Sequence, residues 1–111
     1  MDKLTQYRQY VQQIIEKYAN YPPAYGDIEV ETLFDTKQDH YQLLQVGWDD
    51  DQRIHGCNLH IDIKNGKIWI QHNGTENHIA EELMALGVAQ KDIVLGFQAP
   101  YRRQYTEFAV N

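Results

Sequence analysis

The dipeptide Asn65-Gly66, set inside the stretch CNLHIDIKNGKIWIQH at residues 57–72, constrains this chain more than any other feature. A type I′ turn needs positive φ at both central residues, and Asn-Gly tolerates this best. A two-residue turn also fixes a register. It opposes Ile63 to Ile68, Ile61 to Ile70 and Leu59 to His72, with Lys64 opposite Lys67, Asp62 opposite Trp69 and His60 opposite Gln71. Successive side chains leave opposite faces of a strand, so the pairs sort onto two surfaces. Leu59, Ile61, Ile63, Ile68 and Ile70 make an apolar one, the expected core. His60, Asp62, Trp69 and Gln71 make the other, which is where function is to be sought.

The rest of the chain supplies partners for the hairpin. Residues 2–20 carry Leu4, Tyr7, Val11, Ile14, Ile15 and Tyr18 at helical spacing, which predicts an amphipathic helix ended by Asn20 and Pro22-Pro23. Residues 26–35 alternate, with Ile28 and Val30 against Asp27, Glu29 and Glu31, and predict a half-buried strand; residues 40–48 predict a second. A three-residue loop at 36–38 would pair Ile28 with Val46 and Val30 with Leu44. A turn at Asp49-Asp50-Asp51-Gln52 would pair Trp48 with Arg53, Val46 with His55 and Leu44 with Cys57. Both registers agree with the hairpin on which face is apolar. They place Tyr41 opposite His60 on the polar face and leave His40 and Gln42 on the apolar one, the weak end of the scheme.

Thr75 then reads as an N-cap of a helix over 76–86, with Glu76 in its first turn and a stripe of Ile79, Ala80, Leu83, Met84 and Leu86. Gly87 fits the C′ position, with Val88 as the contact that follows. Residues 93–97 read as a strand or a helical turn, broken by Pro100, and residues 106–110 as a final strand. The expected fold is α+β: an antiparallel four- to five-stranded meander, with an N-terminal helix and a second helix after strand 4 packed on one face. The 111 residues make one domain, 1–111.

The formal charge of −6 opposes tight nonspecific binding to nucleic acid. The acid is concentrated in residues 1–55, with ten acidic against five basic side chains, which suits a protein partner. A single cysteine, Cys57, excludes an internal disulfide and suits a reducing cytoplasm. No secretory leader and no apolar run of spanning length is present, so a cytoplasmic protein without membrane contact is expected.

Glu29, Glu31, Tyr41, His60, Asp62 and Trp69 share the expected polar face and form the candidate partner-binding set, with Trp69 as anchor. His60-x-Asp62 also places an imidazole beside a carboxylate, the pairing used for acid–base chemistry or metal binding, although a metal site wants more ligands. The same pattern describes a solvated sheet face. His55 and Cys57 fall together on the expected core face, where packing explains a cysteine better than nucleophilic chemistry. Asp49, Asp50 and Asp51 lack calcium-loop spacing and read as a solvated turn. Tyr101-Arg102-Arg103-Gln104-Tyr105 interleaves base and aromatic as single-strand binders do, with Arg102 and Arg103 as the candidate nucleic-acid contacts. No catalytic set, metal or cofactor is assigned.

A further series spans the chain: Tyr21-Pro22, Gly26-Asp27, Asp39-His40-Tyr41, Gly47-Trp48, Arg53-Ile54-His55-Gly56, His60, Gly66-Lys67-Ile68-Trp69-Ile70-Gln71, Thr75-Glu76 and Asp92-Ile93-Val94-Leu95-Gly96-Phe97. With an ending from Arg103 through Thr106-Glu107-Phe108-Ala109-Val110, it resembles the XisI family, the fdxN element excision controlling factors of cyanobacteria. Ala89 departs from the pattern, which has proline there. The resemblance implies a role in programmed excision of a DNA element during heterocyst differentiation. It implies work alongside a site-specific recombinase and an XisH-like companion, and it carries over no catalytic residues.

Three readings follow: an accessory protein that binds an XisH-like factor or the recombinase, a metal-dependent nuclease or other hydrolase using His60 and Asp62, and a direct DNA binder using Arg102 and Arg103. The first is favoured, as a non-enzymatic controlling factor. A homo-oligomer is compatible with all three.

Overall fold

In the computed structural model, which describes residues 2–111, the hairpin turns where the sequence requires. Asn65 and Gly66 both take positive φ, 55° and 76°. Strand β3 (Gln52–Lys64) runs into β4 (Lys67–Asn73), pairing Ile63 with Ile68, Asp62 with Trp69 and Ile61 with Ile70. Ahead of them, β1 (Asp27–Asp35) and β2 (His40–Asp49) complete an antiparallel meander. Short β5 (Ile93–Leu95) joins the far edge parallel to β4. It settles residues 93–97 as mainly strand, and the open sheet has the order β1-β2-β3-β4-β5.

Both longer helices cover one face, hereafter the inner face. Helix α1 (Lys3–Ala19) is capped by Asp2, whose carboxylate accepts from the Thr5 N–H at 2.8 Å. It buries Tyr7, Val11, Ile14 and Ile15, four positions of the apolar stripe. Helix α2 (Ile79–Leu86) buries Ile79, Ala80 and Leu83 in the same core as the isoleucines of the hairpin. Gly87 closes α2 at φ 118°, and the Val88 N–H donates to Leu83 O at 3.1 Å, as the C-cap signature requires. Two tyrosines fasten the helices. The Tyr7 hydroxyl donates to Asp92 Oδ2 at 2.6 Å, and that of Tyr18 donates to Glu82, which also takes Lys17 at 2.7 Å. Burial and then the facing carboxylate push each phenol up to about 12.

The register departs from expectation at three places. The β1–β2 loop has four residues, 36–39, because Asp39 takes a left-handed conformation (φ 61°) that aspartate tolerates. Ile28 therefore pairs with Gly47, and Val30 with Gln45. Gly47 is needed there, since a Cβ would lie 2.1 Å from Asp27 O. The pairs Trp48–Arg53, Val46–His55 and Leu44–Cys57 form as expected, but Leu43 next meets Leu59 and leaves Asn58 bulged out. A second bulge leaves out Gln71, so His60 meets His72 and Leu59 meets Asn73, not His72. A one-residue slip exchanges the faces. Tyr41 and Leu43 accordingly point inward, while His40, Gln42, His55 and Cys57 lie on the outer face.

Smaller corrections follow from local hydrogen bonding. Thr75 is not the N-cap of α2. It belongs to a turn organised by Asn73, whose Oδ1 accepts from the Thr75 N–H and hydroxyl at 2.9 and 2.6 Å, and the helix begins at Ile79 rather than residue 76. Pro100 opens a short helix, α3 (Pro100–Arg103), as a favoured first-turn proline. The expected strand at 106–110 reduces to one parallel bridge, Val94 to Ala109. No helix among the described residues is long and apolar enough to cross a membrane.

Candidate functional site

The outer face divides into two halves. Over β4 and β5 it is covered by parts of the C-terminal segment, with Arg103 of α3 lying against Trp69 and Ala109 bridging to the free edge of β5. Ala109 donates its N–H to Ile93 O at 2.9 Å, and Trp69, Val94 and Ala109 form a second small core. Trp69 is only 7% exposed. Lys64 Nζ lies 4.1 Å from its ring centroid and the Arg103 guanidinium 5.2 Å from it. Its indole N–H is buried without a hydrogen-bond partner among the described residues. The expected exposed anchor is therefore a structural residue, because a segment some forty positions downstream folds back over it.

Over β1–β3 the outer face is open. Glu29 pairs with Val46 and Glu31 with Leu44, so both glutamates stand exposed beside aliphatic neighbours. Leu33 and Trp48 add exposed apolar surface, and Trp48 is 49% exposed under the Arg53 guanidinium, 5.3 Å from its ring. Tyr41 leaves the expected set altogether. It is fully buried on the inner face, where its hydroxyl donates to Asp39 Oδ1 at 2.9 Å. Burial, then that carboxylate, raise its pKa. Arg8 grips Asp39 with two hydrogen bonds, 2.8 and 3.1 Å, and these contacts hold the Asp39 carboxyl below its usual range.

Where the halves meet, three strands contribute to one polar cluster. Asp62 Oδ1 lies 2.9 Å from His60 Nε2 on the same strand and 2.9 Å from His40 Nδ1, its cross-strand partner on β2. Gln71, carried on the β4 bulge, donates to Asp62 Oδ2 at 3.2 Å. The hydrogen bond and charge of Asp62 raise the His40 imidazole above its ordinary 6.5. Beside it, Leu33, Phe34, Asp35, His40 and Gln42 line a shallow hollow. An imidazole pair around one carboxylate can shuttle a proton or hold a cation. The sequence shows His60-x-Asp62, but His40 is missed because the three-residue loop puts it on the core side. Asp39, with its tolerance of positive φ, is the signal that would have restored it.

The remaining sequence candidates separate. Cys57 donates its thiol to Leu59 O at 3.3 Å, and burial pushes that thiol up, opposite to what a nucleophile needs. Arg103 is turned inward, donating to Gln98 O and Gly96 O at 3.1 and 3.4 Å. Arg102 stays outside against Tyr101. The two arginines thus form no common basic surface.

Comparison with known proteins adds the following. The family model described as XisI protein matches residues 1–110. The crystal structure of a XisI-like protein from Anabaena variabilis ATCC 29413 is similar with TM-score 0.92 and 46% identity, over 97% of this chain and 99% of that one. The structure of fdxN element excision controlling factor XisI from the same organism gives TM-score 0.87 and 39% identity, over 99% of this chain and 100% of the other. No curated protein sequence matches the chain.

Proposed function

Because the chain belongs to the XisI family, we propose that it is a controlling factor for site-specific excision of a DNA element, acting through contacts with other proteins. The observation that carries this reading is the open half of the outer face, where exposed Glu29 and Glu31 stand in a row between Trp48 at one end and Leu33 at the other. Acidic groups set between two exposed apolar contacts suit a basic partner, with the charges setting orientation and specificity and the tryptophan supplying contact area. The partners in this reading are an XisH-like companion and a site-specific recombinase, and the element is of the fdxN type excised during heterocyst differentiation. His60 and Asp62 lie at the rim of the contact, and Trp48 takes the anchoring role first expected of Trp69. Direct DNA binding has less support, since Arg103 is committed to backbone carbonyls and the net charge is −6.

The test is association of the purified chain with the companion protein, measured for wild type and for a Glu29→Lys/Glu31→Lys variant. The expected result is association weakened by roughly tenfold or more, with an unchanged melt, since truncating or reversing well-placed interface charges costs more than about 1.4 kcal/mol. Wild-type affinity in the charge-reversed protein sinks this interface.

A further inference from the structure

The sheet register brings His40 to the His60-x-Asp62 pair. Both imidazoles direct a nitrogen at the same carboxylate oxygen, and Gln71 holds the other oxygen. We propose that His40 Nδ1, His60 Nε2 and Asp62 Oδ1 form a three-ligand site for a divalent transition ion of the zinc class, with an open coordination position toward solvent. The three donor atoms all lie within 4.8 Å of one another, the only such grouping among the described residues. A tetrahedral ion with bonds of about 2.0 Å needs donors about 3.3 Å apart, so modest side-chain rotation admits it. The His40 ring, whose side chain is 55% exposed, is free to supply most of that rotation.

The donor set selects the metal. Two imidazoles and one carboxylate suit zinc, cobalt, nickel or iron, whereas calcium and magnesium want oxygen throughout. Gln71 does what an outer hydrogen bond does at metal centres, fixing the carboxylate so that one oxygen is presented. All three ligands stand on paired strands, which place them more firmly than loops would. A bound ion staples β2 to β3 close to both bulges. Its open position accepts water or a donor atom from a bound molecule. The competing arrangement is the same triad without an ion, Asp62 accepting two imidazole N–H groups.

Titration of the metal-stripped protein with Co²⁺, followed by displacement with Zn²⁺ in competition with a chromophoric chelator, separates the two. The expected result is one ion per chain, the intense visible bands of four- or five-coordinate Co²⁺, and affinity reduced roughly tenfold or more in His40→Ala and in Asp62→Asn. His72→Ala, which alters the nearby exposed imidazole on β4, should bind as wild type does. Because His40 is exposed, its replacement leaves the fold intact, which a melt verifies. Binding below one ion per two chains, the pale spectrum of octahedral Co²⁺, wild-type affinity in His40→Ala, or equal loss in His72→Ala overturns the site.

Discussion

Trp69 and Trp48 occupy the same face of one sheet, each beneath a basic side chain, and their fates are opposite. Trp69 is 7% exposed and packs with Val94 and Ala109; Trp48 is 49% exposed and faces solvent. Alternation along the sequence separates them the wrong way, setting Trp48 with Val46 and Leu44 on the expected apolar face and Trp69 on the polar one. The difference is the roof: α3 brings Arg103 over Trp69 and Ala109 lines up beside β5, and nothing among the described residues returns over β1–β3. Burial on an outer sheet face is therefore decided by what the chain lays across it later. The uncovered half is the one left to meet another molecule.

Replacing each tryptophan tests the comparison most severely. Trp69→Ala should destabilise by roughly 3–5 kcal/mol in urea melts, the range for deleting a buried aromatic. A melt like wild type would mean the roof is not packed. The two adjacent arginines give the next contrast. Arg103→Ala removes two carbonyl contacts and a stacked cation and should cost roughly 1–2 kcal/mol, while Arg102→Ala should stay within about 0.5 kcal/mol. Equal losses would erase the distinction between roof and surface.

Alkaline unfolding sharpens it from the inner side. Tyr7 and Tyr18 have folded-state values of about 12 against an ordinary 10.0. A raised value means that their stabilising effect is complete below pH 10 and is lost as pH rises from 10 through 12. Tyr7→Phe should flatten that decline in melts taken across the window. The same decline in the variant would place its origin elsewhere. The smallest expected effect on stability is that of Trp48→Ala, within about 0.5 kcal/mol, as for exposed substitutions. Its association with the companion protein should nonetheless fall sharply. Unchanged association would remove Trp48 from the interface.

Much of the fold is legible in the sequence because its signals are local. Asn65-Gly66 fixes a turn through φ, the stripes of α1 and α2 fix their buried sides, and Gly87 ends a helix by lacking a Cβ. His60-x-Asp62 is visible for the same reason, two residues apart on one strand. His40 is not, because its face depends on whether the preceding loop holds three residues or four. The bulges at Asn58 and Gln71 are equally silent, since an unpaired residue is defined by the strand opposite and not by its own neighbours.

The amino-acid sequence by itself thus determined the elements, their order and the isoleucine core, through turn chemistry and periodicity acting over a few residues. The tertiary structure alone decided which side chains share the outer face and which of them are covered. Tyr41 went inward, His40 came to Asp62, and Trp69 disappeared beneath the C-terminal segment. The physical reason is that strand side chains alternate with period two, so every one-residue slip exchanges the faces, and only the packing of distant segments against one another settles where the slips occur.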